Sequence, residues 1–424
     1  MSKKMGFLSV LSIVIGSQLG SGIFVLPTSL APYGWYGLLS WWVAGLGAIL
    51  LALVFADLST KVTKTGGPHV FIEAAFGKTA AFYAGWTYWI VSWISSSVVV
   101  IASIGYLTPI IGNQSAIMHA ILEIALLVSV TYINCKSVQM AGRLEIILTV
   151  IKYFSLFIIP IFTLSYFDAS NIKVTTEETS TLKIIGNVVM MAFWGFVGVE
   201  SATAPAEAIA NPQKTIPMAI VIGTSCVALL YFIDCLAIMG IVNGAVLAKT
   251  GAAHSLAIEK IWGPESARIM AALASLICAG TLNAWTITSG QIALGLSKDG
   301  LLPAFFGKRN TAGSPYVNII ISCLGVIPLL ILTKNKSIAR QITDIIDISV
   351  NAFLFIYLFC SASFLKLLKP RQYIKKAVGV LAICFCLCVI YESGLSTNVM
   401  AVLFPLSGVF VRLFYTPPDN PRKI

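Results

Sequence analysis

Two stretches rich in small and polar residues lie inside very apolar parts of this 424-residue chain. The first, "IVIGSQLGSGIFVLP", covers residues 13–27, and the second, "FWGFVGVESATAPAEA", covers residues 193–208. Because each glycine costs a helix about 1 kcal/mol relative to alanine, both stretches predict helices that unwind part-way along. Unwinding exposes N–H groups, which bind a carboxylate, and C=O groups, which bind an ammonium. The chemistry predicted is therefore the non-covalent binding of a small zwitterion such as an amino acid.

The elements that carry these stretches are predicted to be transmembrane helices. The chain is 58% hydrophobic and 11% charged, with a mean hydropathy of +0.90, whereas a soluble domain averages about 25% charged residues. About 20 apolar residues span a bilayer as a helix. We expect an all-α, multi-pass membrane protein with one domain over residues 1–424 and about twelve spans, near 7–31, 36–60, 80–111, 116–135, 143–167, 183–210, 214–243, 267–297, 315–333, 342–366, 372–393 and 396–415.

The two glycine-rich spans are the first and the sixth, so each would begin a group of five helices. The groups would cover residues 7–167 and 183–366, and residues 372–415 would add helices 11 and 12. With five spans in each group, the second group is inverted relative to the first. Interrupted spans at matching positions of inverted halves indicate a transporter binding site. Close helix packing is the alternative explanation for the glycines, but it does not account for two matched stretches.

The net charge of +11 reflects membrane topology and requires no nucleic-acid partner. If the N-terminus is cytoplasmic, the loops on that side carry more than twice as many lysines and arginines as the opposite loops. This is the positive-inside bias, and it predicts that both termini are cytoplasmic. We expect the plasma membrane, which is the inner membrane in a bacterium, as the location.

Other classes of function find little support in the sequence. The nine cysteines show no pairing pattern, and only three histidines are present. We therefore expect no metal and no cofactor, and no nucleophile with an adjacent base indicates an enzyme. A channel would need a ring of charges or a filter loop, which we do not find, and a purely structural protein leaves the interrupted spans unexplained.

Five motifs resemble the amino acid–polyamine–organocation transporters: "GSGIFVLPTSLA" (20–31), "GGPHVFIEAAFG" (66–77), "FWGFVGVESA" (193–202), "NPQKTIPMA" (211–219) and "SKDGLLPAFF" (297–306). Within that superfamily the chain is most similar to the basic amino acid/polyamine antiporters, including the arginine/agmatine type. The resemblance covers nearly the whole chain. It implies a LeuT-type fold of two inverted five-helix repeats, with discontinuous helices 1 and 6, and usually a homodimer in the bilayer.

The resemblance also implies a set of backbone contacts with the substrate. The positions whose N–H groups would bind the substrate carboxylate are Ser21, Gly22 and Ile23. The positions whose C=O groups would bind its α-ammonium are Leu19, Trp194 and Val197.

Side chains complete the binding site that the resemblance implies. Trp285, in "LNAWTITSGQ", matches the aromatic residue on which a cationic side chain stacks, and a desolvated cation over tryptophan gains about 2 kcal/mol. Ser349 matches a further substrate contact. Ser92 and Ser96 stand where the arginine/agmatine antiporter has a cysteine and an asparagine, so the asparagine that helps to hold the guanidinium group there is absent here.

Four residues match gates of that family. Trp194 corresponds to a lid over the substrate on the outer side, and Tyr88, Glu200 and Tyr357 correspond to an outer gate held by hydrogen bonds to the glutamate. A carboxylate within a membrane span is costly and usually functional. Glu200 is therefore also a candidate proton-coupling group.

Lys152 departs from the antiporter pattern. It lies within the fifth predicted span, in "LTVIK", which resembles proton-coupled amino acid permeases of the same superfamily. There the ammonium would replace the sodium ion of sodium-coupled relatives and would exchange a proton. The alternative is a lysine that extends to the membrane surface, which its depth makes strained. Asp234, also within a span, has no partner that the sequence identifies.

We therefore predict a secondary active amino acid transporter. The favoured function is the exchange of basic amino acids and/or polyamines by alternating access. The alternative is proton-coupled symport of neutral or broad-range amino acids.

Overall fold

The computed structural model describes residues 5–64, 66–178, 180–204, 206, 209–334, 336 and 338–415. The helices of the first half are α1 Phe7–Gln18, α2 Gly22–Leu30, α3 Trp35–Lys61, α4 Pro68–Phe76, α5 Lys78–Gly105, α6 Thr108–Ile111, α7 Ala116–Lys136 and α8 Val138–Thr163. The helices of the second half are α9 Thr181–Phe193, α10 Pro212–Ile241, α11 Gly244–Leu247, α12 Ala253–Trp262, α13 Pro264–Lys298, α14 Tyr316–Thr333, α15 Ile338–Lys366, α16 Tyr373–Glu392 and α17 Leu395–Phe414. This part of the chain contains no β-strand.

The predicted all-α membrane protein is confirmed. Among the described residues, eleven helical segments are long and apolar enough to cross a membrane, and they coincide with eleven of the twelve predicted spans. The remaining predicted span, 143–167, falls largely on α8, a helix of 26 residues. Residues 205, 207 and 208, at the end of the sixth predicted span, lie outside the described residues.

The first span is broken where the glycines predict it. The helix α1 ends at Gln18 and α2 begins at Gly22, and residues 19–21 belong to neither. A Cβ atom on Gly20 would lie 2.8 Å from the Cγ2 atom of Thr281, so only glycine fits this close approach without a shift. The break therefore lies directly against α13.

The sixth span is broken as well. The helix α9 ends at Phe193 and is followed by a 3₁₀ turn, Trp194–Phe196, and then by extended backbone at Val197. Gly198 has a φ of +102°, a conformation that side-chain-bearing residues rarely adopt. The chain then continues through a second 3₁₀ turn, Ser201–Thr203.

Long helices surround the two breaks. The helix α10 packs along α1 and α3, and α13 packs along α5 and contacts α1 and α8. The side chains of Leu19, Phe24, Phe193 and Phe196 are fully buried between them. The broken segments thus lie in the interior of the helical bundle, where exposed backbone groups are tolerated only if they line a cavity or find partners.

Candidate substrate-binding site

A small cavity lies between the two breaks. The described residues that line it are Ser17, Gln18, Gly20, Ser21, Gly22, Val99, Trp194, Val197, Thr281 and Trp285. Its volume is about 20 Å³, enough for about one water molecule. This conformation is therefore closed around the site, and an amino acid would enter only after the cavity widens.

Three half-helix ends meet at this cavity. The helices α1 and α9 both end beside it, so their last C=O groups and the negative ends of their dipoles face it. The helix α2 begins beside it, and its first N–H groups, which have no acceptor within the helix, carry the positive end of a dipole. The site thus offers acceptors for an ammonium on one side and donors for a carboxylate on the other.

Gln18 adds a side-chain acceptor to the cavity. Its backbone C=O accepts a hydrogen bond from the Tyr231 hydroxyl at 2.9 Å, and its Nε2 atom donates to Thr224 Oγ1 at 3.1 Å. Its Oε1 atom is buried and has no hydrogen-bond partner among the described residues. A buried, unpaired amide oxygen is costly, and an ammonium in the cavity would satisfy it.

Two tryptophans supply the aromatic surface of the cavity. Trp194 lies at the turn that follows α9, and Trp285 lies on α13, and each is 9% exposed. The Trp285 ring contacts Phe353 of α15, with centroids 6.1 Å apart. The two ring planes are inclined at 56°, so Phe353 packs against the indole without stacking parallel to it.

Tyr88, Glu200 and Tyr357 are brought together by hydrogen bonds. The Tyr88 hydroxyl donates to Glu200 Oε1 at 2.8 Å, and the Tyr357 hydroxyl donates to Oε2 at 2.6 Å. All three side chains are at most 2% exposed. The buried carboxylate is thus held by two short donors, and the contact joins α5 and α15 to the second break.

The predicted outer gate does not fit the predicted cytoplasmic N-terminus. Ala210 follows Glu200 by ten residues, and its N–H donates to the Met5 carbonyl at 2.9 Å. Glu200 therefore lies closer than Trp194 to the end of the bundle that holds the N-terminus, called here the N-terminal side. A cytoplasmic N-terminus would place the Glu200 cluster on the cytoplasmic side of Trp194.

A second contact closes the same side of the cavity. The Ser17 Oγ atom lies 2.7 Å from Ser201 Oγ and 3.1 Å from the Gly198 carbonyl oxygen. These bonds connect the end of α1 directly to the second break. Both broken segments are thus joined to each other on the N-terminal side.

Lys152 lies beside the first break. Its side chain is fully buried, and its Nζ atom donates to the Gly16 carbonyl and to Thr281 Oγ1, each at 3.2 Å. Gly16 belongs to the last turn of α1, so the ammonium lies at the negative end of that helix. Because Thr281 also lines the cavity, one side chain connects the lysine to the binding site.

The predicted binding residues divide into two groups. Those that line the cavity are Ser21, Gly22, Trp194, Val197 and Trp285. Those that the structure does not place among the lining residues are Leu19, Ile23, Ser92, Ser96 and Ser349.

The side chains of the second group are buried or bonded elsewhere. The Ser92 and Ser96 hydroxyls donate to carbonyls of their own helix, those of Trp89 and Ser92. The Ser349 hydroxyl is buried and has no hydrogen-bond partner in the part of the chain that the structure describes. Leu19 and Ile23 have buried side chains, and their predicted contacts involve the backbone alone.

The lining residues that sequence analysis did not predict are Ser17, Gln18, Gly20, Val99 and Thr281. Thr281 precedes Trp285 by four residues, which places both on one face of α13. Val99 follows Ser92 by seven residues on α5, again on the same face. Helical periodicity, counted from Trp285 and Ser92, would have identified Thr281 and Val99.

Comparison with known proteins identifies the chain. Residues 5–418 match the family model described as amino acid permease. The chain belongs to the amino acid permease family. This confirms the resemblance that the five motifs carry, and it makes this permease an integral, multi-pass membrane protein.

Several curated relatives of the permease are polyamine or basic amino acid carriers. It is 30% identical over 382 residues to the putrescine transporter PotE of Haemophilus influenzae. This aligned region covers 88% of this chain and 86% of the relative. It is 28% identical over 369 residues to the putrescine transporter PotE of Escherichia coli, with 85% and 83% coverage. It is 26% identical over 437 residues to the cadaverine/lysine antiporter of Escherichia coli, with 100% and 96% coverage.

Proposed function

We propose that this permease is a secondary active transporter that exchanges basic amino acids and diamines by alternating access. The observation that carries the proposal is the meeting of three half-helix ends and two tryptophans at one cavity. The acceptor ends of α1 and α9 suit an ammonium, which both substrates possess. The donor end of α2 suits the carboxylate that only the amino acid possesses.

The relatives support a cationic substrate. Two are named as putrescine transporters and one as a cadaverine/lysine antiporter. A diamine has an ammonium at each end, so one can bind the carbonyl ends while the other stacks on Trp285. Lysine or ornithine fits the same arrangement with its side-chain ammonium, which makes amino acid and diamine natural exchange partners.

Alternating access requires the N-terminal side to open and close. In the closed conformation Glu200 joins Tyr88 and Tyr357, and Ser17 joins Ser201. Opening toward the N-terminal side would break these bonds. Trp194 lines the cavity and precedes Glu200 in the sixth span, and it is the proposed outer lid.

Counterflow in proteoliposomes tests the exchange. Purified protein would be reconstituted with unlabelled lysine, ornithine, arginine, putrescine or cadaverine inside, and uptake of labelled lysine or putrescine would be measured. We expect uptake to be stimulated by at least one internal amino acid or diamine relative to empty vesicles. No stimulation by any of the five would overturn the proposal.

A second candidate function rests on Lys152. Its burial and its bonds to Gly16 and Thr281 support a lysine that loses its proton and thereby loosens the first break during transport. This describes proton-coupled symport of neutral or broad-range amino acids, and Glu200 is a second candidate proton carrier. The test is uptake into empty vesicles driven by an imposed pH gradient. If uptake by the Lys152→Ala variant depends on pH as uptake by the wild type does, this function is contradicted.

We also propose the oligomeric state, the location and the orientation of the transporter. We place it as a homodimer in a bacterial inner membrane, with both termini in the cytoplasm and two inverted five-helix repeats followed by α16 and α17. The excess of basic residues on the N-terminal side supports the orientation. Labelling of single cysteines added at each terminus would test it, since accessibility only from outside intact cells would contradict it.

A further inference from the structure

A buried chain of polar side chains crosses the bundle on the opposite side from Glu200. His254 Nε2 lies 3.0 Å from Asp234 Oδ2, and His254 Nδ1 lies 3.4 Å from the Tyr106 hydroxyl. The Tyr106 hydroxyl donates to the Phe24 carbonyl at 2.6 Å. All four residues are 0% exposed. The chain joins α10, α12 and the end of α5 to α2.

Two of these hydrogen-bond directions follow from the groups present. Tyr106 has one hydroxyl hydrogen, and it is donated to the Phe24 carbonyl. The Asp234 carboxylate only accepts, so His254 Nε2 donates to it. Asp234, His254 and Tyr106 thus each have a hydrogen-bond partner, which a buried polar network requires.

The end of this chain lies next to the binding site. Phe24 is the third residue of α2, the half-helix whose first N–H groups face the cavity. Its ring also packs edge-on against His254 and Tyr106, with centroids 4.8 and 5.5 Å apart. The start of α2 is thus held by one hydrogen bond and two ring contacts from the same pair of residues.

The helix α10 holds both sides of the first break. Tyr231 donates to the carbonyl of Gln18, the last residue of α1, at 2.9 Å. Asp234, one turn further along α10, begins the chain that ends on α2. Two contacts from α10 therefore determine the distance between the C-terminus of α1 and the N-terminus of α2. One is made by Tyr231 and the other by Asp234.

We propose that Asp234, His254 and Tyr106 are positioning residues that hold the N-terminus of α2 where it binds the substrate carboxylate. The inference rests on the proposed exchange of amino acids and diamines. It predicts a selective effect: weakening the chain displaces the donor end of α2, which an amino acid uses and a diamine does not. A merely structural role would affect both substrates alike.

The primary test is Tyr106→Phe, which removes one oxygen atom and keeps the ring. Uptake of labelled lysine and of labelled putrescine would be measured in proteoliposomes that contain saturating unlabelled putrescine. We expect the KM for lysine to rise about five-fold, the effect of one neutral hydrogen bond, and the KM for putrescine to change less than two-fold. Tyr391→Phe, at an 80% exposed position on α16, is the matched control and should change neither KM.

Asp234→Asn is the second variant, because it keeps the side-chain shape and removes the charge that faces His254. It should raise the KM for lysine more than the KM for putrescine, as Tyr106→Phe does. Equal changes for both substrates, or none, in the two variants would overturn the positioning role and leave the exchange proposal intact. A wild-type protein that exchanges neither substrate would overturn the exchange proposal instead, together with the inference that rests on it.

Discussion

The Lys152 ammonium lies 3.2 Å from the Gly16 carbonyl oxygen, at the end of the half-helix that precedes the first break. This contact supplies a partner to a carbonyl that the break leaves without one inside the helix. The same ammonium lies 3.2 Å from Thr281, which lines the cavity. The lysine thus connects the unwound segment, the cavity and α13 through one charged group.

Replacing Lys152 should destabilise the protein. Lys152→Met keeps an unbranched side chain, one atom shorter, but leaves the buried Gly16 carbonyl without this donor, which costs about 1–3 kcal/mol. Thermal unfolding of the purified protein should show a lower midpoint than the wild type. Lys249→Met, at an exposed position, should leave the midpoint unchanged, and equal midpoints for the two variants would contradict the role of Lys152.

Glu200→Gln should make the transporter leak. The substitution keeps the shape, but an amide offers one acceptor oxygen where the carboxylate offers two, so the hydroxyl of Tyr88 or of Tyr357 loses the acceptor to which it donates. We expect putrescine loaded into vesicles to escape faster without external substrate, by about five-fold or more. Glu177→Gln, at an exposed position, is the control. Unchanged efflux in Glu200→Gln would show that the cluster does not act as a gate.

Two glycines of the first span should respond oppositely to alanine. A Cβ on Gly20 would lie 2.8 Å from Thr281 Cγ2, whereas a Cβ on Gly16 would meet nothing within 4 Å. Gly16→Ala should therefore stabilise α1 by about 1 kcal/mol, and Gly20→Ala should destabilise the protein and reduce exchange. Midpoints of thermal unfolding compare the two. Similar effects at both positions would show that the close approach of Thr281 is unimportant.

Trp285 should determine the affinity for cationic substrates. Trp285→Leu removes the aromatic face and should raise the KM for putrescine about ten-fold, within the about 0.5–2 kcal/mol of a cation–π contact. Trp285→Phe keeps a weaker aromatic face and should lie between that variant and the wild type. Concentration dependence of labelled putrescine uptake measures both. Equal KM values for the Phe and Leu variants would indicate that the ring contributes by packing alone.

An ion cluster on the N-terminal side should make stability depend on pH. Asp299 accepts from His69 at 3.1 Å and contacts the Lys64 ammonium at 2.7 Å. Burial raises the pKa of the Asp299 carboxyl, but the contacts with His69 and Lys64 lower it more, so it lies below its usual value. The stabilisation is therefore present above the ordinary carboxyl pKa and is lost as the pH falls through the lowered value.

Asp299→Asn tests that dependence. At pH 7 the variant should unfold a few degrees lower than the wild type, because His69 and Lys64 lose a charged partner. The difference should begin to shrink as the pH falls below about 4, the ordinary carboxyl pKa, and should vanish below the lowered pKa, where the folded wild-type carboxyl is protonated as well. A difference that stays constant between pH 7 and the lowest tolerated pH would contradict the assignment.

The sequence predicted the breaks better than the contacts that surround them. Glycine spacing located the unwound residues 19–21 and the turn at Gly198, because the tendency to unwind is local. The contact between Asp234 and His254 could not be predicted from the sequence, because the two residues lie on different helices and meet only after these helices pack. The side of the cavity on which the Glu200 cluster lies depends on the direction of the sixth span relative to the N-terminus, which the sequence predicts.

The central claim is that an amino acid binds between the ends of α1 and α2, over Trp285. Structure determination of the purified protein with saturating lysine tests it most directly. We predict density for the carboxylate at the N–H groups of residues 21–23, and for the side-chain ammonium over the Trp285 ring, in a cavity wider than the closed one. Lysine bound elsewhere, or a continuous helix through residues 19–21 in the bound protein, would contradict the account.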